Sequence, residues 1–292
     1  MQQFRHNIDL HCHTQVSDGA LSPTDLIALA QKNKIEVLAV SDHDTLNGYR
    51  KCKPLADEAG IKLIPAAEFS CQIDRTNIHM VALGVDIDSV AMKKAEALQD
   101  EIREQRADTI AAKLEKHLAV KDVLENVKTI ANGSVIGRPH FAKFLIQEGV
   151  VSDMEQAFNK FLGAGKIGDI KLIWPDVGDV IDFVHEAGGK AVLAHPLKYK
   201  MTKTKLSRLI DDFWDMDGDA IEVVSSRQKQ DDTGWLLRQI DKRNMLASFG
   251  SDFHVSSSWS DLGMFSHIPE VGLNWVHNEI LEEPCELKKH QE

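Results

Sequence analysis

The stretch NIDLHCHTQVSD, residues 7–18, decides the fold. A short apolar run, with one acid in it, ends in His11-Cys12-His13, and Asp18 follows five residues later. In an extended chain alternate side chains project to the same face, so His11 and His13 point the same way. The arrangement recurs along the chain. Residues 37–41 read as a second strand that runs into Ser41-Asp42-His43-Asp44. Residues 62–66 read as a third strand, followed by Glu68, and residues 79–83 as a fourth, opening at His79. A later strand at 191–194 ends in Ala194-His195-Pro196, and the last, at 245–248, runs into Gly250-Ser251-Asp252-Phe253-His254.

Helical patterns alternate with these strands. Ser22-Pro23 gives a cap and a first-turn proline before the apolar face of Leu26, Ile27, Leu29 and Ala30. Helices are predicted at 48–59 with Gly60 as the stop, at 177–187, at 203–215 and at 233–243, with a further strand at 220–224. About seven βα units result, the signature of a parallel barrel or a doubly wound sheet. The pattern breaks between. From residue 89 to about 165 the chain is charged and helix-prone, with no strand signal, and reads as a helical insertion. The expected division is therefore 1–88 and 166–292 for the α/β body and 89–165 for the inserted helical subdomain. In either sheet topology the carboxyl ends of parallel strands gather on one face, where active sites are built.

Composition limits the function classes. The chain has 292 residues and a net charge of −11, which argues against a broad basic surface for duplex DNA. A polyanionic substrate stays open, since bound cations make a pocket locally positive. Cys12, Cys52, Cys71 and Cys285 are scattered without a C-x-x-C pair, so reduced thiols are expected rather than a zinc ribbon or disulfide framework. No apolar signal-peptide core or membrane-spanning run is seen, so a cytoplasmic protein without membrane association is expected.

Taken singly, each polar cluster has a plain structural reading. A lone histidine near a strand end is commonly structural, Asp42 and Asp44 can serve as turn or cap residues, and His195-Pro196 can terminate a strand. The conjunction outweighs these readings. His11, His13, Asp18, His43, Glu68, His79, His195, Asp252 and His254 all fall at or beside strand ends. Imidazole with carboxylate suits Mn, Fe or Zn, and a carboxylate can bridge two ions. His6, His117, His185, His267, His277 and His290 lie outside the pattern and are expected at the surface.

The order His-x-His, Ser-Asp-His-Asp, Glu, His, Ala-His-Pro, Ser-Asp-x-His resembles the PHP (polymerase and histidinol phosphatase) family over nearly the whole chain. Within the insertion, IGRPHFA at 136–142 resembles the RNase AM branch, whose members are Mn-dependent 5′–3′ exoribonucleases, with close relatives acting as 3′-phosphatases on nucleoside 3′,5′-bisphosphates. The resemblance implies a distorted (β/α)7 TIM-like barrel and three divalent metal ions. It assigns His11, His13, Glu68 and Asp252 to one metal. Glu68 would bridge to a second, completed by His79 and His195, and Asp18, His43 and His254 would hold the third. Gly168-Asp169 departs from a Gly-Tyr pair of that branch and leaves base stacking there in question.

The expected chemistry is attack of a metal-generated hydroxide on phosphorus, so no side chain is assigned as general base. Arg138 offers a bidentate fork for a second phosphate, with His140 and Lys166 as further phosphate contacts. Lys166 sits among glycines in GAGKIG, which lacks the Ser/Thr and spacing of a P-loop. The expected partners are RNA 5′ ends or a nucleoside 3′,5′-bisphosphate, with oligomeric state not readable. Two alternatives stand beside this reading: a small-metabolite phosphatase such as one for histidinol phosphate, and a non-catalytic metal-binding module.

Overall fold

The computed structural model describes residues 4–171, 173–258, 260–269, 273–281 and 288–290. In chain order the first elements are β1 (Phe4–His6), β2 (Ile8–Cys12), α1 (Pro23–Lys32), β3 (Val37–Val40), α2 (Asn47–Ala59), β4 (Lys62–Ile73) and β5 (Thr76–Leu83). A helical run follows: α3 (Val90–His117), α4 (Val123–Ala131), α5 (Arg138–Gln147) and α6 (Met154–Ala157), the last continued by a π-turn. The chain closes with α7 (Val177–Glu186), β6 (Lys190–Leu193), α8 (Lys203–Asp215), β7 (Ala220–Ser225), α9 (Gln230–Arg243), β8 (Leu246–Gly250), β9 (Met264–Phe265), α10 (Val276–Ile280) and β10 (Lys289–His290).

Seven strands form one sheet in the order β2-β3-β4-β5-β6-β7-β8. Strands β2, β3 and β7 are buried at every position, because helices cover the outside and side chains fill the inside. The sheet curls so that its two edges approach: the Asp252 N–H donates to His11 O at 2.8 Å and the His13 N–H to Phe253 O at 2.9 Å. The result is a nearly closed barrel-shaped sheet. The small sheet β10-β1-β9 stands apart from it.

One strand runs against the parallel expectation. β5 is antiparallel to both β4 and β6. Ile73 pairs with Thr76, so only Asp74 and Arg75 connect β4 to β5, and so short a link leaves no room for a crossover helix. Asp74 takes the positive φ of 52° that this tight turn needs. The third predicted strand is also longer than expected. β4 pairs with β3 only through Pro65, and the rest of it, with the start of β5, stands above the rim as a hairpin. Glu68 and His79, expected at a strand end and a strand start, therefore lie inside long strands yet level with the rim.

Local signals set the helix limits. The Ser22 side chain accepts from the Asp25 N–H at 3.1 Å, with Pro23 beside it, and α2 stops at Gly60 with φ 71°. α3 joins two cores. Its Met92 and Ala95 belong to the barrel core, while Ala107, Ile110 and Leu114 pack with Val127, Phe141, Phe144 and Leu145 in a second one. Two histidines expected at the surface are buried: His6 lies edge-on to Phe265, and His277 lies between Phe249 and Trp275. Phe265 covers His6 and Phe249 covers His277 from other segments of the chain, which local patterning does not reveal. Cys12, Cys52 and Cys71 are buried free thiols, and Cys285 lies outside the described residues. Among the described residues no helix is long and apolar enough to cross a membrane.

Candidate metal centre

The carboxyl-end rim of the barrel brings the nine side chains together. His11 and His13 leave the end of β2, Asp18 and His43 sit on the loops after β2 and β3, and Glu68 and His79 face each other across the overhanging hairpin. His195 follows β6, and Asp252 and His254 follow β8. Their donor atoms fall into three overlapping groups, each within 4.8 Å: His11, His13, Glu68 and Asp252; His13, Asp18, His43 and His254; and His43, Glu68 and His79. His195 joins through its Nε2, 2.8 Å from Glu68 Oε1.

Glu68 is the hub. Its Oε1 meets His79 Nδ1 at 2.9 Å as well as His195, and its Oε2 meets His43 Nδ1 at 3.0 Å, His13 Nε2 at 3.3 Å and His11 Nε2 at 3.4 Å. Asp252 Oδ1 lies 3.2 Å from His13 Nε2 and 3.6 Å from His11 Nε2, and Asp18 Oδ1 lies 3.2 Å from His254 Nε2. These approaches have ion-pair distances without hydrogen-bond alignment at several atoms. Glu68 Oε2, Asp18 Oδ1 and the Nδ1 atoms of His13, His43 and His195 are buried with no hydrogen-bond partner among the described residues. The Nε2 atoms of His11 and His13 lie 3.1 Å apart, ring nitrogen toward ring nitrogen. Buried polar atoms are ordinarily satisfied, so an orphaned set converging on shared points fits resident cations.

Burial opposes charge on His13, but the Asp252 and Glu68 carboxylates facing its Nε2 overcome it and raise its pKa to about 10. His11 is likewise held well above the usual range, burial being outweighed by Glu68, Glu222 and Asp252. Burial pushes His43 down to about 3. Glu68 and Asp252 resist the upward push of burial and stay well below the carboxylate range, because His79 and His43 face Glu68, and His11 and His13 face Asp252.

A supporting layer went unread in the sequence. Glu222 of β7 is buried, meets His11 Nδ1 at 3.2 Å and accepts the His195 N–H at 2.5 Å. Asp9 accepts the N–H groups of Ser251 at 2.9 Å and Gly263 at 2.8 Å, and burial raises its pKa to about 6. Asp42 accepts from the Thr14 N–H, the Thr14 hydroxyl and the Ser17 hydroxyl at 2.6–2.8 Å, which fixes the loop carrying Asp18. A Cβ on Gly48 would meet an Asp42 oxygen at 1.7 Å, so only glycine fits beside it. Asp44 faces Ser70 and Arg103 instead of the cluster. His195 and Asp252 both hold positive φ, 29° and 50°, strained backbone at two of the candidate ligands.

A cleft of about 830 Å³ opens onto the cluster and separates it from the helical run. Its lining includes Asp18, His43, His79, Arg103, Arg106, Arg138, Phe158, Lys166, Trp174 and Lys198. Arg138 is half-buried, donates to Leu162 O at 3.1 Å and lies over the Phe158 ring. Arg103 and Arg106 lie over Trp174, 5.2 and 5.4 Å from its centroid. Burial, with Arg103 and Arg138 nearby, lowers Arg106 to about 9, and its Nε has no hydrogen-bond partner among the described residues. Lys166 is exposed at the cleft edge. His140 is not brought to the cleft lining: it is buried, and its Nδ1 accepts the Gly137 N–H at 3.1 Å, capping α5. Asp169 lines the cleft and accepts the Gly165 N–H at 2.7 Å, while Phe158 and Trp174 supply the aromatic faces. Arg103 and Arg106 escaped sequence reading because they sit on a long charged helix, α3, where arginine is ordinary.

Known proteins resemble this chain in sequence and fold. The PHP domain family model matches residues 9–162. A 5′–3′ exoribonuclease of Haemophilus influenzae is 40% identical over 255 residues, 87% of this chain and 92% of that protein. A 3′,5′-nucleoside bisphosphate phosphatase of Chromobacterium violaceum is 35% identical over 266 residues, 91% and 93% of the two chains. A solved structure described as an amidohydrolase from Chromobacterium violaceum, with bound sulfate and no metal, superposes with a TM-score of 0.84 at 34% identity over 94% of this chain and 95% of that one.

Proposed function

The chain belongs to the PHP domain family, and from that premise we propose that it is a metal-dependent phosphoesterase acting on nucleotides. It works as a 5′–3′ exoribonuclease on 5′-phosphorylated RNA, as a 3′-phosphatase on nucleoside 3′,5′-bisphosphates, or as both. The relatives named for these two activities support the substrate class. The observation that carries the reading is the juxtaposition of two anion-seeking sites, the nine-residue cluster and the cleft of Arg103, Arg106 and Arg138. A substrate with one phosphate has no use for the second. One with a terminal phosphate and a scissile phosphate can occupy both.

Divalent cations, when bound, polarise the phosphoryl group and make a nucleophilic hydroxide available near neutral pH. The ligands proposed are His11, His13, Asp18, His43, Glu68, His79, His195, Asp252 and His254, for three ions, manganese being the preferred one. Glu68 offers each oxygen to a different set of histidines, which suits a bridging role. Glu222 accepts from His11 Nδ1 and so turns His11 Nε2 toward the cluster. His254 Nδ1 engages Asp252 O at 2.9 Å and presents Nε2 in the same way. Arg138, with Arg103 and Arg106, grips the non-scissile phosphate, and Lys166 adds a contact at the edge. Guanidinium forks match phosphate geometry bidentately and are weakly hydrated. Phe158, half-buried in the cleft lining, provides a face for the nucleoside, while the buried Trp174 backs Arg103 and Arg106.

The test is Mn-loaded protein offered adenosine 3′,5′-bisphosphate, a 5′-phosphorylated oligoribonucleotide and histidinol phosphate, with metal content measured in parallel. Turnover of either of the first two, with about three equivalents of metal, is expected. Turnover of histidinol phosphate alone reassigns the substrate. Metal binding without turnover of any makes the protein a binding module.

A further inference from the structure

A second groove borders the cluster at His195, and the proposed reaction gives it no role. Its first hollow is lined by His195, Leu197, Lys198, Ser225, Arg227, Gln228, Lys229 and Asp232. A second hollow is lined by Lys203, Thr204, Ser207, Arg208, Trp235 and Gln239, on α8 and α9. The two adjoin, because Lys203 of one pairs with Asp232 of the other at 3.1 Å. The near end belongs to the reaction centre: His195 touches Glu68, and Lys198 lines both the arginine cleft and the first hollow.

The lining has a charge unlike that of the whole chain. Lys198, Arg227, Lys229, Lys203 and Arg208 are cationic, and Asp232 is the one acid among the described lining residues, in a protein of net charge −11. At the far end Lys203 Nζ lies 5.6 Å from the centroid of the half-buried Trp235 ring. A line of exposed cations ending at an aromatic face is how sequence-tolerant single-strand binding is built: phosphates meet the cations and a base stacks on the ring.

We propose that this groove carries the single-stranded RNA on the 3′ side of the scissile phosphate. The proposal rests on the nucleotide phosphoesterase reading above. With the terminal phosphate in the arginine cleft and the scissile one on the cluster, the rest of a polymer must leave past Lys198, and the groove begins there. A mononucleotide bisphosphate ends before it. The groove therefore separates polymeric from mononucleotide substrates.

The experiment uses full-length Mn-loaded protein and three substrates: adenosine 3′,5′-bisphosphate, a 5′-phosphorylated dinucleotide and a 5′-phosphorylated decaribonucleotide. The triple variant Lys203→Ala, Arg208→Ala, Lys229→Ala should keep kcat/KM on the two short substrates within about two-fold. Its KM for the decamer should rise about ten-fold or more, and the log–log salt slope of that KM should fall by about 2, since each lost phosphate contact removes roughly 0.7. Trp235→Ala should raise the decamer KM with the salt slope unchanged. Unaltered decamer KM in both variants, or equal loss on all three substrates, overturns the groove while leaving the phosphoesterase reading intact. Wild-type protein that hydrolyses none of the three overturns that reading and the groove with it.

Discussion

His11 and His195 share one carboxylate, Glu222, and it accepts from the ring of the first and the backbone of the second. Such a partner fixes tautomer and ring direction, and its loss typically weakens metal binding about 10–100-fold. Glu222→Gln keeps the volume but must turn an amide N–H toward one of the two donors. We expect a 10–100-fold loss of metal affinity, read by titration against a competing chelator, with the fold retained. Unchanged affinity would show that His11 and His195 are held by packing alone. At this scale the candidate ligands were legible because histidine and acid at strand ends are rare and patterned. Glu222 was not, because an acid within AIEVVS shows nothing of the histidine that folding brings to it. Gly250 was illegible for a related reason: a Cβ there would strike His11 Cβ at 2.1 Å, a contact between segments far apart in sequence.

Helix α3 is the element that ties the helical run to the barrel rim. Its Arg103 donates from Nε to Asp44 Oδ2 at 2.7 Å, and both side chains are largely buried, at 10% and 1% exposure. Removing one member of a buried pair strands the other and typically costs about 3–5 kcal/mol, whereas replacing both with apolar groups costs far less. Arg103→Ala should therefore lower the denaturation midpoint strongly, and Arg103→Met with Asp44→Leu should restore much of it. Additive losses in that double-mutant cycle would mean that the pair does not couple the two parts. The helix itself was legible from composition, as were the limits of α8, which match the predicted 203–215. The reversed strand β5 was not. Asp74-Arg75 lacks the Asn-Gly or Gly-Gly signature of a two-residue hairpin, so the strand after it passed for another parallel member.

Across the whole molecule the candidate ligands tie together parts of the chain that are remote in sequence. Six of them lie before the helical run and three after it, so neither part of the barrel holds a complete set. The same cluster gathers buried imidazoles and carboxylates whose lone pairs face one another, an arrangement that is costly without cations between them. The unfolded chain has no such cavity, so cations favour the native state and stabilise it by mass action. Each tenfold rise in free Mn²⁺ above the dissociation constant adds about 1.4 kcal/mol per site, or roughly 2–4 °C in Tm for a chain of this class. Calorimetry of chelator-stripped protein should show Tm climbing with log[Mn²⁺] at that slope or a small multiple of it. A single transition is expected to move throughout, because strands from both ends of the sheet must be in place before the site exists. A Tm indifferent to Mn²⁺ would mean that the cluster is satisfied by its own protons, consistent with a His13 held at a pKa of about 10, and the protein would then have no resident cation to do chemistry with.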